Sequence, residues 1–353
     1  EGNLPPDFPK DVLFFRLENL GNTCFCNCVL QAFLYSSSIS VYIKHLIDLN
    51  LPKELSNTTL YHFINIFSKK IELTQMLERS NSNEDLGSKP SKISRVITIC
   101  PREFIGSIYR QTNQFIRDEQ NDAHEFLIYL ISSFDDVIIR LQSIYDNDAI
   151  STPQTQIESK TEEDNNKKLV DNNNPSDELS DNNHSNKDHE NEENQIIEKI
   201  NIKQSRKIPL FSLLFEGTRL SSFECAHCHH VQEKIDKFTF LDIGIPSDNT
   251  NRELDLQKLI DAFLDPDKIS AEEGGCICSG CNRKDANVDI YSYIKELPVT
   301  LIIQLQRFKF NKKTQIMEKI SKYVKIQNKI HLNSGCGPQK YKLKTIICHR
   351  GNY

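Results

Sequence analysis

Two Cys-x-x-Cys pairs constrain the fold of this 353-residue chain more than any other feature. The pairs are Cys225–Cys228 and Cys278–Cys281, with 49 residues between them. Each pair can offer two thiolates to one tetrahedral ion, so the two pairs together match the ligand set of a structural zinc site. Loop closure becomes only logarithmically harder with length, and strands between the pairs, such as 238–245, would bring them together. The spacing therefore predicts a Zn²⁺-bearing β module.

Neighbouring residues leave other ligand sets open. Cys276 is an alternative to Cys278, and His227, His229 or His230 is an alternative to a member of the first pair. A thioredoxin-like redox pair would need one Cys-x-x-Cys after a strand in a βαβ unit, and the sequence lacks that pattern. Eleven cysteines without a secretory signal indicate a reducing compartment. We therefore expect a cytoplasmic or nuclear protein, or one found in both places.

Charge and hydropathy set apart the segment 146–207, which is rich in Asn, Asp, Glu and Ser. Between 158 and 200, Asp and Glu outnumber Lys and Arg by eight, whereas the whole chain has a formal net charge of −6. The segment cannot bury enough apolar surface to offset the entropy of ordering, so we expect a disordered acidic insert. The remaining chain is nearly neutral, which argues against nucleic-acid binding. No apolar run approaches the ~18 residues of a membrane span, so no membrane partner is expected.

The order of the periodic segments indicates the fold class. Helical periodicity dominates 11–145, with amphipathic segments at 24–35, 60–76 and 120–134 and a polar loop near 80–94. After 208 the pattern changes to short alternating segments that are typical of strands. These segments are Phe238–Ile245, Leu297–Phe310, Tyr323–Leu332 and Tyr341–His349. Helices followed by strands predict an α+β fold.

Cys24 has the sequence context of a nucleophile. Gly21 predicts a turn and Thr23 is a suitable N-cap, so a helix would begin at Cys24. The free N–H groups and the positive end of the dipole favour a thiolate there, and a general base would have to come from elsewhere in the fold. The side-chain amides of Asn19 and Asn22 are suited to stabilise an oxyanion.

Cys26 and Cys28 follow in alternation with Cys24. At helical spacing the three thiols point in different directions, so they cannot share one metal ion. Cys26 and Cys28 are expected to be structural, and a structural role for Cys24 remains the alternative to nucleophilic chemistry.

A second polar motif, Gln120–Leu127, opens an amphipathic helix. Asp122 and Glu125 are three residues apart and would lie on one face. Carboxylates at this end of a helix can simply stabilise the dipole. His124 precedes Glu125, but no second histidine follows at the spacing of a zinc protease. His124 is therefore expected to pack or to form a hydrogen bond rather than to act as a base.

Together these motifs resemble the ubiquitin-specific proteases, which are papain-like deubiquitinating enzymes. The family's cysteine box reads Gly-Leu-x-Asn-x-Gly-Asn-Thr-Cys-Tyr/Phe-x-Asn, and here Arg16 replaces the first Gly. The family's acidic box reads Gln-Gln-Asp-Ala-His-Glu-Phe, and here Asn121 replaces the second Gln. The resemblance implies a papain-like fold with a helical thumb. Its predicted parts are thumb 11–145, insert 146–207, zinc-bearing β fingers 208–297 and an incomplete β palm 298–353.

The resemblance also implies roles for individual residues. Cys24 would be the nucleophile and Asn19 the oxyanion donor, while Asp122 and Glu125 would bind the arginines of ubiquitin's C-terminal tail. The four cysteines of the two pairs would bind structural Zn²⁺, as in the family's fingers. Cys26 is similar to a subgroup that is switched on by WD-repeat partner proteins.

The strands near the C-terminus carry the remaining resemblance. Leu297–Phe310 matches the family's Leu-Pro…Arg-Phe element of the palm, and Tyr341–Gly351 matches the strand that opens its histidine box. His349 aligns with the first, non-catalytic histidine of that box. The catalytic histidine, in a Gly-His-Tyr, and its Asp or Asn partner are therefore expected beyond Tyr353.

The function that the resemblance implies is a cysteine isopeptidase acting on ubiquitin and ubiquitinated proteins. It would hydrolyse the bond between ubiquitin's C-terminal glycine and a substrate lysine through a thioester. A non-catalytic ubiquitin-binding scaffold with the same fold is the alternative. A third hypothesis, a zinc-finger interaction module on an unrelated core, predicts no ubiquitin affinity.

Overall fold

A computed structural model describes ten parts of the chain, and structural statements below refer to these parts. They are 14–49, 51–82, 96–151, 196, 207–246, 254–264, 267–269, 277–284, 287–311 and 314–351. The helices are α1 (Cys24–Leu34), α2 (Ser37–Asp48), α3 (Thr59–Ser82), α4 (Arg102–Gln111), α5 (Ala123–Ser151) and α6 (Leu256–Leu264), with 3₁₀ turns at Lys53–Leu55 and Phe211–Leu214. Helices precede most strands, which confirms the predicted α+β class.

The helices α1 to α5 enclose the larger hydrophobic core. The predicted segments 24–35, 60–76 and 120–134 fall largely within α1, α3 and α5, because their apolar periodicity matches the buried stripe of each helix. At the centre lies a group of phenylalanine rings in mutual contact: Phe33, Phe63, Phe134, Phe211 and Phe215. A short parallel pair of strands, β1 (Phe14–Leu17) and β2 (Val96–Ile99), lies beside α1, and Leu17 of β1 belongs to this core.

The chain that follows the predicted insert returns to the helical core. Residues 208–215 pack there, and Tyr42 donates a hydrogen bond from its hydroxyl to the Pro209 carbonyl over 2.5 Å. The predicted start of the fingers at 208 stays a prediction, and the aromatic side chains at 211 and 215 fill the helical core before the sheet begins at Gly217.

Parts of the predicted insert 146–207 are helical. Helix α5 continues to Ser151, and Ile196 is helical and buried in the helical core. Residues 152–195 and 197–206 lie outside the described residues, so the predicted disorder there stays a prediction. The predicted loop at 80–94 is wrong at its start, since α3 extends to Ser82. Residues 83–94 are likewise not described.

The described residues from Gly217 onward form twelve further strands. They are β3 (Gly217–Cys225), β4 (Val231–Phe238), β5 (Leu241–Gly244), β6 (Leu254–Asp255), β7 (Asp267–Ile269), β8 (Val288–Glu296), β9 (Ile303–Gln306), β10 (Phe308–Asn311), β11 (Ile316–Lys319), β12 (Val324–Lys325), β13 (Lys329–Ser334) and β14 (Gly337–Lys342). An antiparallel sheet in the order β4-β3-β8-β7 carries the cysteine pairs. Strands β5 and β9 pair in parallel, and β10–β11 and β13–β14 form hairpins.

A second core joins β5, α6, β9, β12 and β13. It contains residues from both sides of the predicted fingers–palm boundary at 297, and the domain division stays a prediction. The predicted strand 341–349 is wrong beyond Lys342. Its partner β13 begins at Lys329, opposite Lys342, so the backbone beyond that point has no strand to pair with in the described chain.

None of the described helices is by itself long and apolar enough to cross a membrane. Helices α1 and α2 meet the length and composition criteria only as a pair bent by 84°. Both bury their apolar residues in the helical core.

Candidate functional site

The loop before α1 presents Cys24 at the first helical position. Gly21 and Asn22 have positive φ values of 92° and 44°, which glycine and asparagine adopt more readily than other residues. Thr23 occupies the N-cap position but does not cap the helix with its side chain. Its hydroxyl instead donates to Asn19 Oδ1 over 2.9 Å, and its backbone N–H donates to the same oxygen over 3.2 Å. The expected Thr23 cap is thus replaced by a closed loop that ends at Cys24.

This loop leaves the side-chain amide nitrogen of Asn19 available. Its Oδ1 atom is engaged by Thr23, while Nδ2 has no hydrogen-bond partner among the described residues. Asn19 and Cys24 are both exposed. Asn22, the other predicted amide donor, is engaged elsewhere, since its Nδ2 donates to the Asp118 carbonyl over 2.5 Å.

The three alternating thiols differ in their surroundings. Cys24 is exposed, Cys26 is buried and Cys28 is half-buried. Burial raises the pKa of Cys26 well above its ordinary value, and burial raises the pKa of Cys28 to about 11. Cys26 and Cys28 are therefore neutral at physiological pH, and Cys24 is the exposed thiol of α1.

The loop before α5 packs beside the Cys24 loop. Phe25 of α1 contacts Phe115 and Phe126, with ring centroids 5.6 and 5.4 Å apart. A Cβ atom on Gly21 would approach Asp118 Oδ1 to 3.3 Å, so the two loops are in near contact there. Asn121, the departure from the family's acidic box, bonds to both the N–H and the carbonyl of Ile116. The two predicted polar motifs therefore lie side by side.

Asp122 and Glu125 occupy the exposed end of α5. Asp122 is its N-cap: Oδ1 accepts the N–H groups of His124 and Glu125 over 2.6 and 2.9 Å. The Oε1 atom of Glu125 accepts from Gln114 Nε2 over 2.7 Å. In each carboxylate the second oxygen accepts no hydrogen bond from the described residues. One oxygen of Asp122 therefore caps the helix and one oxygen of Glu125 binds Gln114. The other oxygen of each carboxylate remains available to a cation.

His124 turns toward β5. Its ring meets Phe240 edge to face, with centroids 4.4 Å apart. Burial lowers the pKa of His124, an effect larger than the opposite effect of the Asp122 and Asp242 carboxylates. His124 thus packs, as predicted, but the proximity of Asp242 has no counterpart in the sequence patterns.

The four predicted metal ligands come together at one end of the β4-β3-β8-β7 sheet. All four sulfur atoms lie within 4.8 Å of one another, and Cys228 Sγ is 3.6 Å from Cys278 Sγ. A tetrahedral Zn²⁺ site with ~2.3 Å Zn–S bonds separates its sulfurs by about 3.8 Å. Hydrogen bonds from the backbone N–H groups of Cys281 and Gly280 lower the pKa of Cys278 to about 6. The four thiols therefore fit a metal ion in number and distance.

The two cysteine turns have the same backbone pattern. In the first, the His229 N–H donates to the Cys225 carbonyl and the Cys225 N–H donates to the His230 carbonyl. In the second, Asn282 and Arg283 take the corresponding positions around Cys278. His229 and Asn282 both have positive φ, at 56° and 54°. The turns meet because Cys225 pairs with Val288 of β8, and not through the segment 238–245 as expected from sequence.

The alternative ligands have other contacts or lie outside the described residues. His229 Nδ1 is 3.0 Å from Glu224 Oε1, and His230 Nε2 is 3.1 Å from Ser279 Oγ. His227 is exposed and does not belong to the cluster. Cys276 is not described.

His349 lies on the β10–β11 hairpin, against Phe308. Lys319 Nζ donates to its Nδ1 atom over 3.0 Å and to the carbonyl of Gly351 over 2.6 Å. No hydrogen bond in the described chain joins a histidine to Cys24, so the identity of the base stays a prediction.

Comparisons with known proteins agree on one family. A family model described as "Ubiquitin carboxyl-terminal hydrolase" matches residues 15–353. "Ubiquitin carboxyl-terminal hydrolase 4" of Arabidopsis thaliana is 22% identical over 336 residues, covering 94% of this chain and 73% of that protein. "Ubiquitin carboxyl-terminal hydrolase 12" of Salmo salar is 23% identical over 357 residues, covering 98% and 76%.

Solved structures give the same fold. Similar chains occur in the SAGA Ubp8/Sgf11/Sus1/Sgf73 DUB module bound to ubiquitin aldehyde (TM-score 0.52, 16% identity, 90% of this chain and 52% of that one). They also occur in the yeast SAGA DUB module with a substituted Sgf73 (TM-score 0.51, 16% identity, 94% and 56%). The chain spans about half the length of these solved chains.

Proposed function

The chain belongs to the ubiquitin carboxyl-terminal hydrolase family, and from this premise we propose that it is a deubiquitinating cysteine protease with Cys24 as its nucleophile. The observation that carries the proposal is the exposure of Cys24 at the first turn of α1, next to the buried Cys26 and half-buried Cys28. A non-catalytic scaffold would need no exposed thiol at this position.

The proposed reaction is acyl transfer. The Cys24 thiolate attacks the carbonyl carbon of ubiquitin's terminal glycine, and the carbonyl oxygen becomes an oxyanion. The C–N bond then breaks, the lysine amine leaves with a proton from the general acid, and a thioester remains. Water attacks the thioester, gives its proton to the base, and releases the carboxylate and the thiol.

Asn19 is proposed as the oxyanion donor. Its carboxamide is fixed by two hydrogen bonds to its oxygen, which leaves Nδ2 free to donate. Loss of one such donor commonly lowers kcat by about 10²- to 10³-fold. We expect a loss of this size in Asn19→Ala.

Asp122 and Glu125 are proposed to bind the arginines of ubiquitin's tail. Both are exposed, and each holds one oxygen within the fold while the other has no donor among the described residues. Guanidinium groups suit such carboxylates because their donors are planar and permanently charged.

The metal is proposed to be Zn²⁺ with a structural role. Four thiolates at these distances fit tetrahedral zinc, which would fix the two cysteine turns to each other when bound. Cys225, Cys228, Cys278 and Cys281 are the proposed ligands.

Ubiquitin and ubiquitinated proteins are the proposed partners, and the solved relative bound to ubiquitin aldehyde supports this. The resemblance at Cys26 supports a WD-repeat activator. Free cysteines throughout the described chain support a location in the cytoplasm, the nucleus or both.

The test is covalent labelling of the full-length protein with a ubiquitin probe that carries a C-terminal electrophile. We expect one adduct, mapped to Cys24 by peptide sequencing and absent in Cys24→Ala. Cys100→Ala is the matched control, because Cys100 is another exposed cysteine, and it should label like the unsubstituted protein. Ubiquitin binding without labelling would favour the scaffold, and an adduct on Cys24→Ala would refute the nucleophile.

A further inference from the structure

The start of α5 contacts Phe240, the residue before β5, and each of the two segments carries one buried polar atom. His124 Nε2 and Asp242 Oδ1 are both inaccessible to solvent and have no hydrogen-bond partner within the described chain. The other Asp242 oxygen, Oδ2, accepts from Gln306 Nε2 over 2.6 Å, at the end of β9. Asp242 is therefore held from one side, with its free oxygen buried.

The two atoms are chemically complementary. The Asp242 carboxylate is close enough for its charge to raise the pKa of His124, although burial lowers it further and leaves the ring neutral at physiological pH. A neutral imidazole with its proton on Nε2 is a donor, and a carboxylate oxygen is an acceptor. Buried polar groups without partners are rare in proteins because each is destabilising. The structure shows no direct bond between them, so one water that accepts from the imidazole N–H and donates to the carboxylate is the link that would satisfy both groups.

His124 lies between the two proposed tail-binding carboxylates. Its backbone N–H donates to Asp122 Oδ1, and Glu125 is the next residue. Ala123 packs toward the helical core, whereas the ring of His124 contacts Phe240, the residue before β5. The ring therefore connects the turn that carries both carboxylates to the segment before β5.

We propose that His124 and Asp242 form a polar clasp between α5 and β5, and that His124 is a positioning residue which orients Asp122 and Glu125 for the ubiquitin tail. The clasp rests on the proposed function, since it assigns the orientation of that same tail-binding pair. It makes ubiquitin affinity depend on a contact between the helical part of the chain and its strands.

The experiment measures the Kd of the full-length protein for two forms of ubiquitin, one native and one with the tail arginines changed to alanine. His124→Ala should weaken the binding of native ubiquitin about tenfold, the equivalent of one hydrogen bond to a charged group. It should leave binding of the tail-substituted form unchanged, because the carboxylates then have no arginine to orient. A general loss of folding would weaken both forms equally.

Three variants complete the design. Asp242→Ala should reproduce the loss, and the double variant should lose no more than either single one. His124→Gln keeps a side-chain donor and should recover most of the affinity. His62→Ala is the matched control, because His62 Nε2 on α3 is also buried and without a partner among the described residues, and it should bind like the unsubstituted protein.

The outcomes separate the two proposals. If the unsubstituted protein binds both forms of ubiquitin equally, the tail-binding roles of Asp122 and Glu125 fail and the clasp fails with them. If the unsubstituted protein prefers native ubiquitin and His124→Ala keeps the same preference, the clasp alone is refuted. Equal weakening of both forms by His124→Ala also refutes it.

Discussion

Replacing Phe211 by alanine should be among the most destabilising substitutions in the helical core. The ring is fully buried in the 3₁₀ turn that follows the predicted insert. It contacts the rings of Phe33 on α1, Tyr42 on α2 and Phe134 on α5, and also Phe215, at centroid distances of 5.1 to 5.6 Å. One side chain therefore holds three helices to the segment that leads into the sheet.

The expected loss can be worked from these contacts. Buried Phe→Ala substitutions lower the free energy of unfolding by about 3–5 kcal/mol. Aromatic pairs contribute ~0.5–1.5 kcal/mol each beyond their buried area. Because Phe211 makes four ring contacts, we expect Phe211→Ala to lie at the upper end of the Phe→Ala range, at about 5 kcal/mol. The matched control is Leu213→Ala on the same turn, where the side chain is 39% exposed. A partly exposed leucine with few contacts should lose about 1 kcal/mol.

Urea unfolding followed by far-ultraviolet circular dichroism measures the difference, since the chain has no tryptophan to report by fluorescence. With m near 3 kcal/mol/M, Phe211→Ala should lower the midpoint by about 1.5 M and leave m unchanged. A loss within 1 kcal/mol of Leu213→Ala would show that the turn is not anchored in the core, and the reasoning would be refuted.

Three further predictions concern the sheet, the metal and the pH dependence. Gly217→Ala should destabilise by about 1–3 kcal/mol in the same assay, because an added Cβ would lie 2.4 Å from the Phe238 ring; unchanged stability would contradict this. Metal analysis should find one zinc per chain, and none after Cys278→Ser. Burial lowers the pKa of Lys70 from 10.5 to about 8, so between these values the unfolded chain binds a proton that the folded chain does not. This group's contribution to the free energy of unfolding therefore rises with pH across that window, and Lys70→Met should remove the rise.

Local patterns predicted those parts of the fold that local physics decides. The helices α1, α3 and α5 follow their apolar periodicity because one buried stripe suffices to define an amphipathic helix. The two cysteines of each pair come together because a Cys-x-x-Cys turn fixes its own geometry, whereas the two turns meet through the pairing of β3 with β8. Helix α5 begins at Ala123, three residues after the start of the predicted segment 120–134, because the Asp122 carboxylate caps it there.

These local patterns could not predict contacts between segments that are distant in the sequence. Nothing local indicates that β1 pairs with β2, or that Phe211 fills the helical core instead of starting the sheet. Thr23 has the residue type of an N-cap, yet the Asn19 carboxamide takes its hydroxyl. Asp242 belongs to a strand that reads as an ordinary alternating segment, and only the fold brings it to His124.

The two proposed sites depend on different parts of the fold. The loop that carries Cys24 is supported by the larger core, where Phe25 packs on Phe115 and Phe126. The shape of this loop therefore does not depend on a metal ion at the cysteine turns. Few of the described residues around the cysteine turns are buried, and two of these three are the proposed ligands Cys225 and Cys278. Because so little apolar surface is buried there, the proposed Zn²⁺ should supply most of the local stability when bound. Zinc should therefore control how the sheet holds ubiquitin, while the reactivity of the thiol should depend on α1 and the loop before α5.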